Sequence, residues 1–152
     1  MTIPLISIVT LLAEILITVF VYYVIWHAYT TGRFIRRLAF GILAYELVFN
    51  ISYMLSRELS QKDTRVYNPY ETFLAIFHGI FSIIMFVTLV VFFLVATRVY
   101  NNKDNLQKEK QETASAETNF FRNHKYMTGT FVVAWGVSIL SGITLFYSLY
   151  LF

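Results

Sequence analysis

The C-terminal stretch from Tyr126 to Phe152 constrains the fold more than any other part of the chain, because it contains no charged residue. An apolar run of 18 or more residues makes a helix long enough to cross roughly 30 Å of hydrocarbon. The stretch therefore predicts a transmembrane helix. His124 and Lys125 stand directly before it and mark the point at which the chain leaves water.

The polar residues of this helix predict which side it turns toward protein. Ser138, Ser141 and Thr144 recur every three residues on one stripe, and Ser138 forms a small-residue pair with Gly142. Small residues let a neighbouring backbone approach closely inside a membrane. We expect the stripe to pack against another helix and the aromatic residues of the segment to meet lipid. These aromatic residues are Phe131, Phe146 and Tyr150.

Composition extends the membrane prediction to the whole chain of 152 residues. Hydrophobic residues make up 57% and charged residues only 14%, which is more apolar surface than a soluble domain of this size buries. There is no cysteine, so the sequence offers no disulfide, thiolate nucleophile or Cys-ligated metal. The formal charge of +3 comes from basic residues beside apolar runs, where topology or anionic lipid explains them better than nucleic acid does.

Four apolar segments define the predicted fold class. The class is all-α: a polytopic membrane protein built as a single four-transmembrane-helix bundle over residues 1–152. The predicted helices cover about residues 3–28, 35–56, 71–98 and 126–151. Asn68-Pro69 marks a helix boundary, because proline disfavours helical conformation in the residue before it. The polar segment from Arg98 to Arg122 has the composition of a solvated or weakly helical segment, and of these we predict a mobile loop.

Lysine and arginine are distributed unevenly between the two sides of this predicted bundle. The first and third loops together hold nine of them, whereas the second loop holds three. Cytoplasmic loops carry the excess of basic residues in most membrane proteins. The first and third loops are therefore predicted to be cytoplasmic, with both termini outside.

Three acidic or basic residues lie deep inside the predicted spans, away from the span ends: Glu14, Glu46 and His78. At 1.5 Å per helical residue, the two glutamates lie roughly 16 Å deep and the histidine roughly 12 Å deep, so they share a level near the bilayer midplane. Asn50, one turn beyond Glu46, and Tyr45 are placed to join this layer. Ionisable groups at such a depth are costly unless they are neutral, paired or hydrated, and they point to function.

Three interpretations of this layer stay open. The side chains form neutral hydrogen bonds that hold helices together, they bind a metal or haem, or they relay protons. Imidazole and carboxylate together suit iron, copper or zinc, and the candidate metal ligands are His78, His124, Glu46 and Glu14. His27 and His124 also fit an ordinary place at the membrane boundary. Trp135 falls nearer the core and is expected to pack or hydrogen-bond within the bundle.

Signatures of soluble enzymes are missing from the sequence. It has no Gly-rich phosphate loop, no nucleophile elbow and no His-Glu-x-x-His motif. No catalytic residue is assigned, and we do not expect the chain to be an enzyme.

The second half of the chain resembles a known membrane family in a few spaced positions. These are His78 within FLAIFHGIFS, the pair His124-Lys125 that opens the last helix, Trp135 eleven residues later, and Ser141-Gly142. The run Phe49-Asn50-Ile51-Ser52-Tyr53 and the two arginines Arg36 and Arg37 are similar as well. The family is the small four-helix membrane family of bacteria and archaea catalogued as domain of unknown function four-twenty. Its best-characterised members are the CtaM/YozB-type proteins linked to assembly of haem-copper oxidases.

The chain also departs from that family. The histidine that begins the family's second helix falls on Ile35, and Glu46 stands where a small residue is usual. The proline and the Thr-Gly pair of the family's last helix are replaced by Val133-Ala134 and Ser141-Gly142. If the missing histidine is a ligand in the family, this chain lacks a complete site.

The resemblance implies an accessory integral membrane protein of a respiratory or other metal-containing membrane oxidase, acting in assembly or as a small bound subunit. The alternative is a b-type haem or metal-binding membrane protein with a redox or proton-transfer role, for which copper or haem is the expected cofactor. The expected partners are the lipid bilayer and a larger membrane complex, and the expected location is the cell membrane of a prokaryote.

Overall fold

The computed structural model describes residues 5–59, 68–109 and 119–150, with side chains described at 5, 7–52, 68–102 and 119–150. All secondary structure in these residues is helical, which confirms the all-α class. The five helices are α1 (Leu5–Thr31), α2 (Arg36–Leu59), α3 (Pro69–Glu109), α4 (Phe120–Asn123) and α5 (Lys125–Tyr150).

Three stretches of these helices are long and apolar enough to cross a membrane: Ser7–Thr31 in α1, Pro69–Asn102 in α3 and Lys125–Tyr150 in α5. They fit a multi-pass membrane protein. The side chains of α2 are described from Arg36 to Ser52, a stretch shorter than the 18 residues that a span needs. The fourth predicted span therefore stays a prediction.

Local chemistry sets the start of α3. Asn68 caps the helix: its side-chain oxygen accepts from the backbone N–H of Glu71 at 2.8 Å, and the Glu71 carboxylate accepts from the Asn68 N–H at 2.9 Å. Pro69 stands at the first helical position, where its missing N–H costs nothing. This is a capping box with asparagine in place of serine or threonine. It confirms the helix boundary predicted at Asn68-Pro69.

The end of α3 differs from the prediction. The helix continues to Glu109 instead of ending near residue 98. The prediction of a loop from Arg98 to Arg122 is therefore wrong for its first half. Lysine, glutamate, glutamine and leucine are good helix formers, and a long apolar helix already supplies the costly nucleus to which they add. The short helix α4 lies in the last part of the same segment, and residues 110–118 lie outside the described part of the chain.

The four long helices pack in a ring, with α1 against α2 and α5 and with α3 against α2 and α5. Hydrogen bonds between α1 and α5 fix their antiparallel register. Tyr150 and Ser7 share a bond of 3.1 Å at one end, and the Trp135 indole N–H donates to the Thr18 hydroxyl at 3.3 Å further along. The second bond and the burial of the indole confirm the internal position expected for Trp135.

The aromatic core corrects the expected lipid contact of Phe131. Its side chain is only 4% exposed and stacks on Phe92 of α3 with ring centroids 4.9 Å apart. Phe131 is buried because it lies seven residues before Ser138 and four before Trp135, a spacing that puts all three on one helix face. The protein-facing side of α5 therefore carries aromatic residues in its N-terminal half and small residues further along.

Candidate functional site

Glu46 is the most deeply buried acidic or basic residue in the described part of the chain, with 3% of its surface exposed. Asn50 lies one turn further along α2 and donates from its amide nitrogen to Glu46 Oε2 at 3.1 Å and to the Glu46 carbonyl at 2.7 Å. This confirms that the two residues share a face. The other carboxyl oxygen, Oε1, is buried and has no hydrogen-bond partner among the described residues. A buried acceptor left without a donor costs about 1–3 kcal/mol.

Glu14 of α1 faces the same region. Its side chain is half-buried, and α1 packs against α2, the helix that carries Glu46. The structure thus places two of the four predicted ligands on adjacent helices, and the predicted neighbour Asn50 hydrogen-bonds to one of them.

His78 belongs to a different contact, between α3 and α5. Its ring nitrogen Nδ1 lies 3.0 Å from the Ser141 hydroxyl and 3.3 Å from the Ser82 hydroxyl, and Ser82 in turn lies 3.3 Å from the Ser138 hydroxyl. A methyl group built at Gly142 would lie 2.8 Å from the His78 ring. This close approach confirms that the small-residue stripe of α5 packs against a neighbouring helix at Ser138, Ser141 and Gly142. Thr144, the third polar residue of the predicted stripe, is instead exposed.

The hydrogen bonds of Ser141 assign the proton of this imidazole. The Ser141 hydroxyl donates its hydrogen to the Ser138 carbonyl at 2.7 Å. Because a serine hydroxyl has one hydrogen to give, Ser141 accepts from His78 at Nδ1. A neutral ring with its hydrogen on Nδ1 carries a lone pair on Nε2, the form in which imidazole binds metals.

The predicted midplane layer separates into two polar contacts. Glu14 and Glu46 lie on the adjacent helices α1 and α2, whereas His78 hydrogen-bonds to Ser141 of α5. Over the described residues, no three His, Cys, Asp or Glu side chains form a group that could hold a metal ion. The count of residues along each helix fixes depth, but it does not say which face meets which neighbour. The metal prediction for these residues stays a prediction.

His124, the remaining predicted ligand, lies at the exposed turn between α4 and α5. Its Nδ1 donates to the Phe120 carbonyl at 2.9 Å, and its ring lies 4.9 Å from the Phe120 ring. His27 occupies a comparable place at the end of α1, where Nδ1 is 3.0 Å from the Arg33 carbonyl. Both histidines therefore lie at helix ends and hydrogen-bond to backbone carbonyls there, which fits their interpretation as residues at the membrane boundary.

Sequence reasoning missed Asn119, which joins three elements. Its amide nitrogen donates to the Tyr29 carbonyl of α1 at 2.9 Å, and its oxygen accepts from the Tyr100 hydroxyl at 3.2 Å and from the Arg122 N–H at 3.1 Å. Asparagine is a favoured N-cap residue, and the buried pair Phe120 and Phe121 follows Asn119 directly. An asparagine before two phenylalanines was the available signal for an ordered segment inside the polar loop.

Taken together, the described helices define a helical protein with several apolar helices that suit a membrane. Comparison of the chain with protein-family models, with curated proteins and with solved structures finds no match. The resemblance to domain of unknown function four-twenty is thus an expectation drawn from the sequence alone.

Proposed function

We propose that this chain is an accessory protein of a respiratory or other metal-containing membrane oxidase, in assembly or as a small bound subunit. In this proposal all four long helices cross the cell membrane of a prokaryote and both termini lie outside. The family resemblance names the partner, and the packing of the described helices supports the way in which the chain would act.

A fourth span at α2 is supported by the two faces of that helix. Beyond its first turn, which carries the exposed Arg37, its exposed large side chains are apolar, namely Phe40, Leu47, Val48 and Ile51, whereas Glu46 turns inward. A helix in lipid needs this distribution, because a charged group on the lipid side would lie in hydrocarbon without a partner.

The proposed orientation depends on that fourth span. If α2 crosses the membrane, nine lysine and arginine residues lie on one side and three on the other. If α2 remained on one side, the connections before and after α3 would hold six each and the bias would vanish. The positive-inside bias thus favours the four-span arrangement with the first and third loops in the cytoplasm.

The contact between His78 and Ser141-Gly142 is the single observation that carries the proposal. These are two of the positions on which the resemblance rests, and although 63 residues separate His78 from Ser141, they touch across α3 and α5. Close contact between small residues and a hydrogen-bonded polar pair is how helices in a membrane hold one another in a fixed arrangement. A small bundle fixed in this way offers its lateral apolar faces to a larger complex.

The test is deletion of the gene in its source organism, followed by complementation. We expect deletion to lower the activity of the partner oxidase while its catalytic subunit is still transcribed. Wild-type protein and the Thr144→Val variant should restore activity, because Thr144 is exposed and bonds only within its own helix. Normal oxidase activity in the deletion strain would contradict the proposal. Full rescue by His78→Ala would leave the accessory role standing and limit His78 to packing.

A second candidate function, binding of copper or haem, rests on the lone pair assigned to His78 Nε2. An optical spectrum and elemental analysis of purified protein test it directly. Stoichiometric haem or copper that is lost in His78→Ala would favour this function. A colourless, metal-free wild-type protein that still rescues the deletion strain would favour the accessory role.

A further inference from the structure

A groove of about 600 Å³ lies between the end of α1 and the start of α5. Each helix lines it with residues at positions i, i+3, i+4 and i+7, which share one helix face: from Val19 to Trp26 on α1 and from Lys125 to Val132 on α5. Gly129 keeps the groove open, because a methyl group built there would meet nothing within 4 Å. The groove therefore runs along the contact between the two helices.

Two hydrogen bonds fix the helices on either side of this groove. The Tyr22 hydroxyl donates to the Val132 carbonyl at 3.0 Å in its deeper part. At the other end, the Asn119 amide nitrogen donates to the Tyr29 carbonyl at 2.9 Å and ties the last turns of α1 to the segment that leads into α5. The groove is thus formed by the fold itself, and its volume is in the range of ligand sites in proteins.

The position and length of the groove match one acyl chain of a membrane lipid. Val19 and Tyr29 are ten residues apart on α1, which is about 15 Å of helix and half of the roughly 30 Å of hydrocarbon in a bilayer. The mouth lies at Lys125, where the apolar stretch of α5 begins. Near the mouth the wall carries the exposed indole of Trp26, and tryptophan favours the boundary between lipid and water. The groove therefore leads from the membrane boundary toward the midplane.

The mouth of the groove is positively charged. Lys125 is exposed, and its ammonium group lies 5.3 Å from the centre of the Tyr126 ring, which does not neutralise it. Residues 15–31 and 119–150, which build the groove, contain no aspartate or glutamate. Basic pockets between transmembrane helices bind the head groups of anionic lipids. An apolar groove with a lysine at its mouth is complementary to a ligand with an acyl chain and a negative head group.

We propose that this groove binds an anionic phospholipid, with one acyl chain along the wall from Trp26 to Val19 and the phosphate at Lys125. A zwitterionic phospholipid also carries a phosphate, but its own ammonium group offsets the charge, so the site prefers a lipid with a net negative charge. The site requires α1 and α5 to lie in a membrane, which their apolar lengths suit. It stands whether or not the chain assists an oxidase.

Fluorescence of Trp26 tests the proposal, because bromine atoms on an acyl chain quench an indole that they touch. Trp135→Phe leaves Trp26 as the one indole of the chain. The full chain is placed in phosphatidylcholine nanodiscs that contain the same small fraction of either brominated phosphatidylglycerol or brominated phosphatidylcholine. We expect phosphatidylglycerol to bind about fivefold more tightly, which is the effect of one lysine beside an anionic head group.

Two pairs of variants separate the head-group contact from the groove. Lys125→Gln should remove the preference for phosphatidylglycerol. Its matched control Arg37→Gln, which deletes an exposed charge at the start of α2, should keep the preference. Gly129→Leu should fill the groove and reduce quenching by both brominated lipids. Gly41→Leu should not, although a side chain there likewise meets nothing within 4 Å.

Five results would overturn the proposal. Three of them are equal quenching by the two lipids, a preference that survives Lys125→Gln, and equal effects of Gly129→Leu and Gly41→Leu. A preference lost when inorganic phosphate replaces chloride at equal ionic strength would assign Lys125 to a free anion. Protection of Trp26 that grows with the number of chains per nanodisc would assign the groove to a second copy. Wild-type protein allows the same lipid comparison, because Trp135 is buried, so the preference is decided even if no variant folds.

Discussion

Replacing Gly142 by alanine tests the closest helix contact in the molecule. The new methyl group would lie 2.8 Å from Cε1 of His78, 3.3 Å from Nε2 and 3.4 Å from Nδ1. An ordinary carbon contact is about 3.5–4.0 Å, so the ring or the helix must shift by roughly 1 Å. The imidazole is a rigid ring held by Ser141 and Ser82, and it is not free to swing away.

The expected loss of stability has two parts. Overpacking of a close contact costs about 1–3 kcal/mol. Displacement of the ring also weakens the hydrogen bond between His78 and Ser141, which is worth about 0.5–1.5 kcal/mol. Alanine gains up to about 1 kcal/mol over glycine as a helix former. We expect Gly142→Ala to lower the free energy of unfolding by about 1–3 kcal/mol.

Gly79→Ala is the matched control. Gly79 lies beside His78 on α3, and a methyl group there would meet nothing within 4 Å. This variant gains the same helix preference without the clash, so the difference between the two variants isolates the packing cost. Reversible unfolding in mixed micelles, followed by circular dichroism, measures both. In the double variant His78→Ala/Gly142→Ala, the added cost of the methyl group should be largely relieved.

Equal stability of Gly142→Ala and Gly79→Ala would refute the reasoning. It would mean that α3 and α5 are not held together at this point, and the contact that carries the proposed function would lose its support. If Gly142→Ala lowered the free energy of unfolding as much in the His78→Ala background as in wild type, the clash would lie elsewhere.

Three further predictions follow from other contacts. Trp135→Phe should lower the free energy of unfolding by about 0.5–1.5 kcal/mol through the lost bond to Thr18. The double variant Trp135→Phe/Thr18→Val should be little less stable than Trp135→Phe alone, as measured by the same unfolding assay. Glu71→Ala should cost about 1 kcal/mol through loss of the cap on α3, whereas Glu71→Gln should cost little. In this cysteine-free chain, a cysteine introduced at Lys108 should resist an impermeant thiol reagent in intact cells, and one at the exposed Tyr70 should react; labelling at Lys108 would overturn the orientation.

The sequence by itself determined the features that depend on local chemistry and on hydrophobic length. The all-α class and the apolar helices follow from uncharged runs, because a backbone in hydrocarbon must satisfy its own hydrogen bonds. The boundary at Asn68-Pro69 follows from capping within four residues. In the small-residue stripe of α5, Ser138, Ser141 and Gly142 also predicted a helix contact correctly, because small side chains let another helix come close in a membrane. The exposed Thr144 did not.

Tertiary structure alone decided which faces meet. Depth along a helix placed Glu14, Glu46 and His78 at one level, but the rotation of each helix about its axis turned Glu46 to Asn50 and His78 to Ser141 of α5. The same rotation buried Phe131, which the sequence assigned to lipid. Composition likewise could not decide the extension of α3 to Glu109, because polar helix formers suit a loop or a weak helix and the adjoining apolar helix decides between them. Hydrophobicity says how far a residue lies from water, whereas its partner depends on the arrangement of all the helices around it.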